Sequence, residues 1–274
     1  MADHRPLGRA ATIDLLERHG LRPRKALGQH FLADPNIVDK IVSVAGIGPE
    51  DRVVEVGAGV GTLTRGLAAA GAAVTAFEID ERLRPVLGEA LAGMGVEVYF
   101  EDAARIDFSA RLAGGPWVMV ANLPYNVGTP LLMDLLRRVP QIERFVVMLQ
   151  REAVERLAAR PGSKAYGLPS VVARLHGDVE VAFRVPASVF VPPPKVESAV
   201  AMIRRHTTAR LADEAVTLAA AGFGQRRKML RSSLRTVLGD PVTALEAAGL
   251  DPTNRAEDVG PDGYRRLAEV VHAS

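Results

Sequence analysis

Short apolar runs recur through the first two-thirds of the chain, and stretches with helical spacing separate them. The runs predict strands over 52–57 (RVVEVG), 73–78 (AVTAFE), 95–100 (GVEVYF), 116–121 (PWVMVA) and 143–149 (ERFVVML). Between them Leu63, Leu67 and Ala70 share one helical face, as do Leu132, Leu135, Leu136 and Val139, the recurrence of a helix packed on one side. Thr129 and Pro130 suit the N-cap and first position of that second helix. A threonine hydroxyl can accept from an unbonded amide, and proline lacks the N–H that would go unbonded there. Strand alternating with helix predicts a parallel sheet with helices on both faces. Two further strands, near 178–185 and 197–204, have no helical stretch between them and predict an antiparallel end to the sheet. After about residue 206 the strand pattern stops and helical patterns take over. The expected organisation is an N-terminal arm over 1–21, an α/β domain over 22–206 and a small all-helical domain over 207–274.

The 274 residues, 48% hydrophobic and 24% charged, suit a soluble globular protein with a sizeable core. Cysteine is absent, which excludes a disulfide scaffold, a cysteine-ligated zinc and thiol catalysis, and suits a reducing compartment. Asp3, Arg5, Arg9, Asp14 and Glu17 leave no apolar core for a signal peptide. Residues 112–133 carry no charge, but three prolines, three glycines and two asparagines interrupt them, so they are not read as a membrane span. A cytoplasmic protein, monomeric and without a metal site, is expected. Net charge is only +2, yet residues 222–235 hold five basic side chains (Arg226, Arg227, Lys228, Arg231, Arg235) and no acid. Another basic stretch, RPRK, occupies 22–25. On a helix, Leu230, Leu234 and Val237 would face inward, while Arg227, Lys228, Arg231 and Arg235 would form a stripe suited to phosphates. The alternative is a merely solvated face.

Residues 53–64, VVEVGAGVGTLT, run from a strand through a glycine-rich turn into a helix. Such a turn lies at the carboxyl end of the first strand of an open α/β sheet, where ligands bind. Gly57, Gly59 and Gly61 let the backbone approach a ligand closely. A dinucleotide fingerprint would place its third glycine at 62, where Thr62 stands, and Glu55 also departs from a nicotinamide-binding turn. No lysine follows the glycines, which excludes a P-loop. Glu78 closes the second strand, placed to accept from two ribose hydroxyls, and Asp102 follows the third, placed to accept from an adenine amino group. Either alone would fit a solvated loop acid. Three successive strand ends with this chemistry point to a nucleoside without phosphates, S-adenosylmethionine.

The fourth strand ends in Asn122-Leu123-Pro124-Tyr125, where proline stops the ladder. These residues suit methyl transfer to the N6 amine of adenine, a poor nucleophile because its lone pair is delocalised into the ring. The Asn122 side-chain oxygen and the Leu123 carbonyl can accept its hydrogens and free that lone pair. Pro124 holds Leu123 in extended geometry, and Tyr125 offers a face on which a flipped-out base stacks. Sulfonium is already an activated leaving group, so positioning supplies most of the catalysis. The alternative is an asparagine-capped turn with a core tyrosine.

These motifs occur in order with KALGQHFLADPNIVDKIV (25–42), FEIDERL (77–83), MLQREAVERLAARPGSKAYGLPSV (148–171), FVPPPKVESAV (190–200) and FGQRRKMLRSSL (223–234). Together, over about 22–270, they resemble the ribosomal RNA adenine dimethyltransferase family, closest to its housekeeping small-subunit branch. The resemblance implies a Rossmann-like class I methyltransferase with a seven-stranded, mostly parallel sheet and a small helical C-terminal domain. It implies four methyl transfers, two to each of two adjacent adenosines in a hairpin near the 3′ end of 16S rRNA in the assembling small subunit. It places cofactor contacts at His30, Leu32, Gly57, Glu78, Asp102 and Asn122, although many relatives carry asparagine where His30 stands. It also places Phe190 against the target base opposite Tyr125; a core aromatic ahead of a proline-rich turn is the alternative. The loop 162–167 (GSKAYG) is a candidate wall of the active-site mouth. The competing readings are the macrolide-resistance branch acting on 23S rRNA and a non-catalytic assembly factor on the same fold. DNA adenine methylation is disfavoured, because the usual Asp or Asn before PPY is absent.

Overall fold

The structure is a computed structural model that describes residues 4–207 and 211–273 and, at Lys25, the backbone alone. Asp3 of the expected arm, residues 208–210 of the expected helical domain and the Lys25 side chain lie outside the described residues. Two compact units form: Glu180–Arg204 joins the chain before Glu155 in the first, and Glu155–Val179 joins the chain from Arg205 onward in the second. The second unit is therefore discontinuous in sequence, which a single boundary near 206 does not capture.

The main sheet has seven strands, which fall in the first unit except for Gly177–Val179 and Arg205: β1 (Arg52–Val56), β2 (Ala73–Glu78), β3 (Glu97–Phe100), β4 (Trp117–Asn122), β5 (Ile142–Gln150), β6 (Gly177–Val185) and β7 (Ser198–Arg205). Their order across the sheet is β3-β2-β1-β4-β5-β7-β6. The first five pair in parallel and β7 runs antiparallel to β5. This is the mostly parallel α/β sheet with an antiparallel end that the strand pattern predicts, and it has the seven strands that the family resemblance implies. The order reverses between β1 and β4, so a crevice opens at their carboxyl ends. Four of the five β1 residues are buried, as expected for a strand covered on both faces.

Helices bury apolar stripes against this sheet. Asp34 caps Pro35–Ala45 by accepting from the Asn36 and Ile37 amides, and left-handed Gly46 ends it. From that helix Val38 and Ile41 pack with Leu63, Leu67, Val53, Val118 and Val146. Each fully buried side chain of this size contributes about 1.5–3 kcal/mol. The expected arm is part of the unit: Leu15 and Leu16, on helix Arg9–Arg18, join Leu83, Val86 and Leu87 in a second apolar cluster.

One helix starts earlier than the sequence predicts. Gly128–Arg138 has Val127, not Thr129, at its N-cap, and no side chain caps it. The Pro124 carbonyl accepts from the Gly128 amide at 2.8 Å and from the Val127 amide at 3.3 Å, so the turn after β4 winds directly into the helix. Pro130 is tolerated in the first turn because amides there have no intrahelical partner.

In the second unit, helices Leu168–His176, Ala212–Gly224 and Pro261–Ala273 surround buried Tyr166 and Tyr264. Their hydroxyls donate to the carbonyls of Val259 (2.9 Å) and Ala256 (3.0 Å). Loop 162–167 is held within this unit by the Gly162 amide donating to Glu257 O at 2.9 Å and by Tyr166. Among the described residues no helix is long and apolar enough to cross a membrane.

Candidate active site

The crevice at the end of β1 and β4 is a cleft of about 260 Å³. The glycine turn forms its floor. The Gly57 amide donates to Phe77 O at 2.7 Å, holding the turn against the end of β2. Gly57 and Gly59 have φ of 82° and 59°, the left-handed region that side chains rarely adopt. A Cβ at Gly59 would also sit 3.0 Å from the Phe31 ring.

Glu78 is buried at the end of β2, 5% exposed. Its Oε2 accepts the Gly59 amide at 2.8 Å and its Oε1 accepts the Asp80 amide at 2.9 Å. Burial raises its pKa, and these amides oppose the rise. Each oxygen keeps one further acceptor site, so the carboxylate can still take two hydroxyl donors. Asp102 is half-buried on the same cleft wall, its Oδ1 accepting the Ala104 amide at 3.0 Å.

Asn122 ends β4 and donates from Nδ2 to the His30 carbonyl at 3.4 Å, which leaves Oδ1 as the acceptor. Leu123 is buried, anchored by its amide to Met148 O at 3.1 Å, and also lines the cleft. Tyr125 exchanges a 2.6 Å hydrogen bond with buried Ser198 Oγ. Burial raises its pKa, and the Ser198 bond lowers it. His30 lies against Tyr125 with centroids 5.8 Å apart and ring planes at 25°. Its Nδ1 is 2.8 Å from Pro192 O.

The cleft thus brings together His30, Leu32, Gly57, Gly59, Glu78, Asp102, Asn122, Leu123, Pro124 and Tyr125. Gly61 stands behind the wall as N-cap of helix Thr62–Ala69. Phe190 is a correction. It is fully buried in the core with Leu32, Val38 and Ile41, on a short strand (Phe190–Val191) paired with Phe31–Leu32. It does not line the cleft in this structure.

The basic segment also departs from expectation. Helix Ala212–Gly224 ends, Gln225–Arg227 form a turn, and a short helix restarts at Leu230–Ser233. The Leu230 and Arg231 amides donate to Asn254 O (2.7 Å) and Pro252 O (3.1 Å), which breaks the continuous helical ladder. Leu230 and Leu234 are buried, but Val237 is exposed. Arg226, Arg227, Lys228, Arg231 and Arg235 are all exposed, so the cluster is a basic turn and short helix rather than one helical stripe. Arg226 is tied by Nε to Glu257 at 2.8 Å and by Nη2 to Tyr166 O at 3.3 Å.

Sequence reasoning missed Glu55 as a functional group. It is 1% exposed in β1 and lines the cleft, with Oε2 lacking a hydrogen-bond partner. Burial, with the nearby charge of Glu78, pushes its pKa up to about 8. An acid inside the otherwise apolar RVVEVG run was the available signal. Thr62 Oγ1, on the same wall, is likewise without a partner. Besides the neutral Glu55 carboxyl, the described lining holds the acids Glu78, Glu101 and Asp102 but no lysine or arginine. Such a wall repels phosphates and suits a nucleoside that carries positive charge, so the residues fit S-adenosylmethionine.

A family model described as Ribosomal RNA adenine dimethylase matches residues 20–272. The chain is 48% identical over 262 residues to Ribosomal RNA small subunit methyltransferase A of Phenylobacterium zucineum (strain HLK1), covering 94% of this chain and 91% of that one. It is similar to a solved dimethyladenosine transferase from Plasmodium falciparum, with TM-score 0.74 and 26% identity over 87% of this chain and 96% of that one. It also resembles the solved 23S rRNA methyltransferase ErmE, with TM-score 0.68 and 27% identity over 88% and 99%.

Proposed function

Because the chain belongs to the ribosomal RNA adenine dimethylase family, we propose that it dimethylates N6 of two adjacent adenosines in the 3′-terminal hairpin of 16S rRNA. The substrate is the RNA in the assembling small subunit, and the methyl donor is S-adenosylmethionine. The protein is an rRNA adenine dimethyltransferase; its subunit, its donor and the residue roles below are the proposal. The observation that carries it is that Glu78, Asn122 and Tyr125 line one phosphate-repelling cleft around the glycine turn. The 48% identity to a relative named for the small subunit, against 27% to a 23S enzyme, favours the 16S substrate.

Glu78 accepts the ribose hydroxyls, Asp102 accepts from the adenine amine of the donor, and Gly57 and Gly59 admit it without collision. Glu55 and Thr62 offer their unpartnered oxygens to its polar end. When bound, the donor supplies a sulfonium-activated methyl group. The target adenine stacks on Tyr125, whose ring is held by the Ser198 bond. Asn122 Oδ1 and the Leu123 carbonyl accept the N6 hydrogens and direct the nitrogen lone pair out of the ring. N6 loses one proton for each methyl gained, and those two oxygens hold the departing hydrogen until water takes it. Arg227, Lys228, Arg231 and Arg235 contact rRNA phosphates.

The test is transfer of labelled methyl groups to small-subunit particles from a strain lacking the modification, with 23S rRNA in parallel. Mass spectrometry of the small-subunit RNA should find two adjacent N6,N6-dimethyladenosines. Label on 23S rRNA alone, or on neither RNA, overturns the proposal.

A further inference from the structure

His30 occupies the meeting point of three parts of the cleft. Its carbonyl accepts from Asn122 Nδ2 at 3.4 Å. Its Nδ1 is 2.8 Å from Pro192 O, so the tautomer with hydrogen on Nδ1 donates to the proline-rich turn. Its ring lies against Tyr125 with centroids 5.8 Å apart, within the range of offset aromatic stacking. The segment is stitched in place on the same side: Ala33 N donates to Val189 O at 2.9 Å, and Arg9 Nη1 donates to Ser188 O (3.0 Å) and Phe190 O (3.1 Å). The imidazole is thereby fixed at one edge by a carbonyl while its face meets a tyrosine.

We infer that His30 is a positioning residue for methyl transfer, fixing the Tyr125 ring on which the target base stacks, rather than a side-chain contact of the cofactor. The inference rests on the reading of Tyr125 as the stacking face. Two restraints act on that ring from different directions. Ser198 holds the hydroxyl and His30 backs the face. With the imidazole removed, the ring keeps its hydroxyl anchor but can pivot about it, and the base loses a fixed platform. A platform that pivots costs turnover, because small misplacements at a reacting centre are expensive in rate. The cofactor's ribose and adenine contacts, at Glu78 and Asp102, lie on the strand ends of β2 and β3 and are untouched.

Three variants of the full-length protein separate the two roles. His30→Phe keeps a ring face and loses the bond to Pro192 O; His30→Asn keeps an amide donor and loses the ring; His30→Ala loses both. For a positioning role, kcat on RNA particles falls roughly three- to tenfold in Ala and Asn, the scale of one aromatic contact. Phe recovers most of it. Cofactor Kd, measured by calorimetry without RNA, stays within about twofold of wild type in all three. In a Tyr125→Leu background, His30→Ala costs little more, since the ring it positions is gone. The inference is overturned if Ala and Phe weaken cofactor binding while Asn retains it, the pattern of a side-chain ligand. It is equally overturned if kcat is unchanged in Ala and Asn. Each variant is compared with wild type on whichever rRNA the wild type methylates, so an error in substrate assignment shows in the wild-type arm alone.

Discussion

Glu55 offers a sharp test of the cleft electrostatics. Its carboxyl is buried in β1, with one oxygen unpartnered, and titrates near 8 instead of 4.5. The folded-state pKa is raised, so the protonated acid is favoured by folding. The associated stability is full below the unfolded value and is lost as pH rises through the folded one. At about 1.4 kcal/mol per pH unit the loss between pH 4.5 and 8 reaches about 5 kcal/mol, of which about 3 kcal/mol has gone by pH 7. Glu55→Gln has nothing to ionise at that position and should escape this loss. Urea unfolding of both proteins at pH 5, 6, 7 and 8 reads the difference. Trp117, the one tryptophan, is buried in β4 and reports on the first unit. Any constant offset between the two proteins is irrelevant; the variant should gain on wild type steadily as pH rises. Parallel stability profiles over that interval would refute the reasoning and mean that Glu55 is ionised in the folded cleft.

Glu78→Ala should weaken S-adenosylmethionine binding by about 1.5–3 kcal/mol, the scale for hydrogen bonds to a charged group; unchanged affinity in a folded variant would remove Glu78 from the site. Gly128→Ala would place a Cβ 2.5 Å from Leu149 Cδ2 and 2.8 Å from Leu123 Cβ. The urea midpoint should report about 1–3 kcal/mol of overpacking, and kcat should fall as Leu123 shifts. Neither change would occur if the helix start had slack. Replacing Arg227, Lys228 and Arg231 together with Gln should weaken RNA-particle binding and reduce its log–log salt slope by roughly 0.7–0.9 per lost phosphate contact. Parallel salt dependences for variant and wild type would show a solvated face.

The sheet was legible because each strand is a short apolar run whose limits coincide with a local stop, as Pro124 does after β4. The glycine turn and the acid at Glu78 were legible for the same reason: strand ends are marked in the sequence, and their chemistry can be read there. What escaped depended on partners distant in the chain. Gly128 begins its helix because a carbonyl four residues back is available, not because Thr129 can cap. Lys228 leaves the helical path because the chain at 252–254 takes the amides that follow it. Phe190 reads as a stacking residue from its motif, and its burial beside Leu32 depends on a strand partner distant in the chain. The buried state of Glu55 required knowing that both faces of β1 are covered. The assignment of Glu155–Val179 to the second unit required seeing which helices pack together.

The strand order also dictates the sequence of events while the chain is being made. The strand Gly177–Val185 is synthesised before Ser198–Arg205, yet the later strand lies between it and β5. As it emerges from the ribosome, the earlier strand therefore has no neighbour to join, and the open edge of β5 waits as well. Neither edge is closed until Arg205 has emerged and the last strand has inserted. A nascent chain paused between about 185 and 197 leaves both that strand and the edge of β5 unpaired, the kind of edges that join other chains. The helical unit waits longer, for Pro261–Ala273, although one of its helices, Leu168–His176, is made some ninety residues earlier. The interval of synthesis before the last strand inserts is therefore the one in which the sheet is most open to edge-to-edge association.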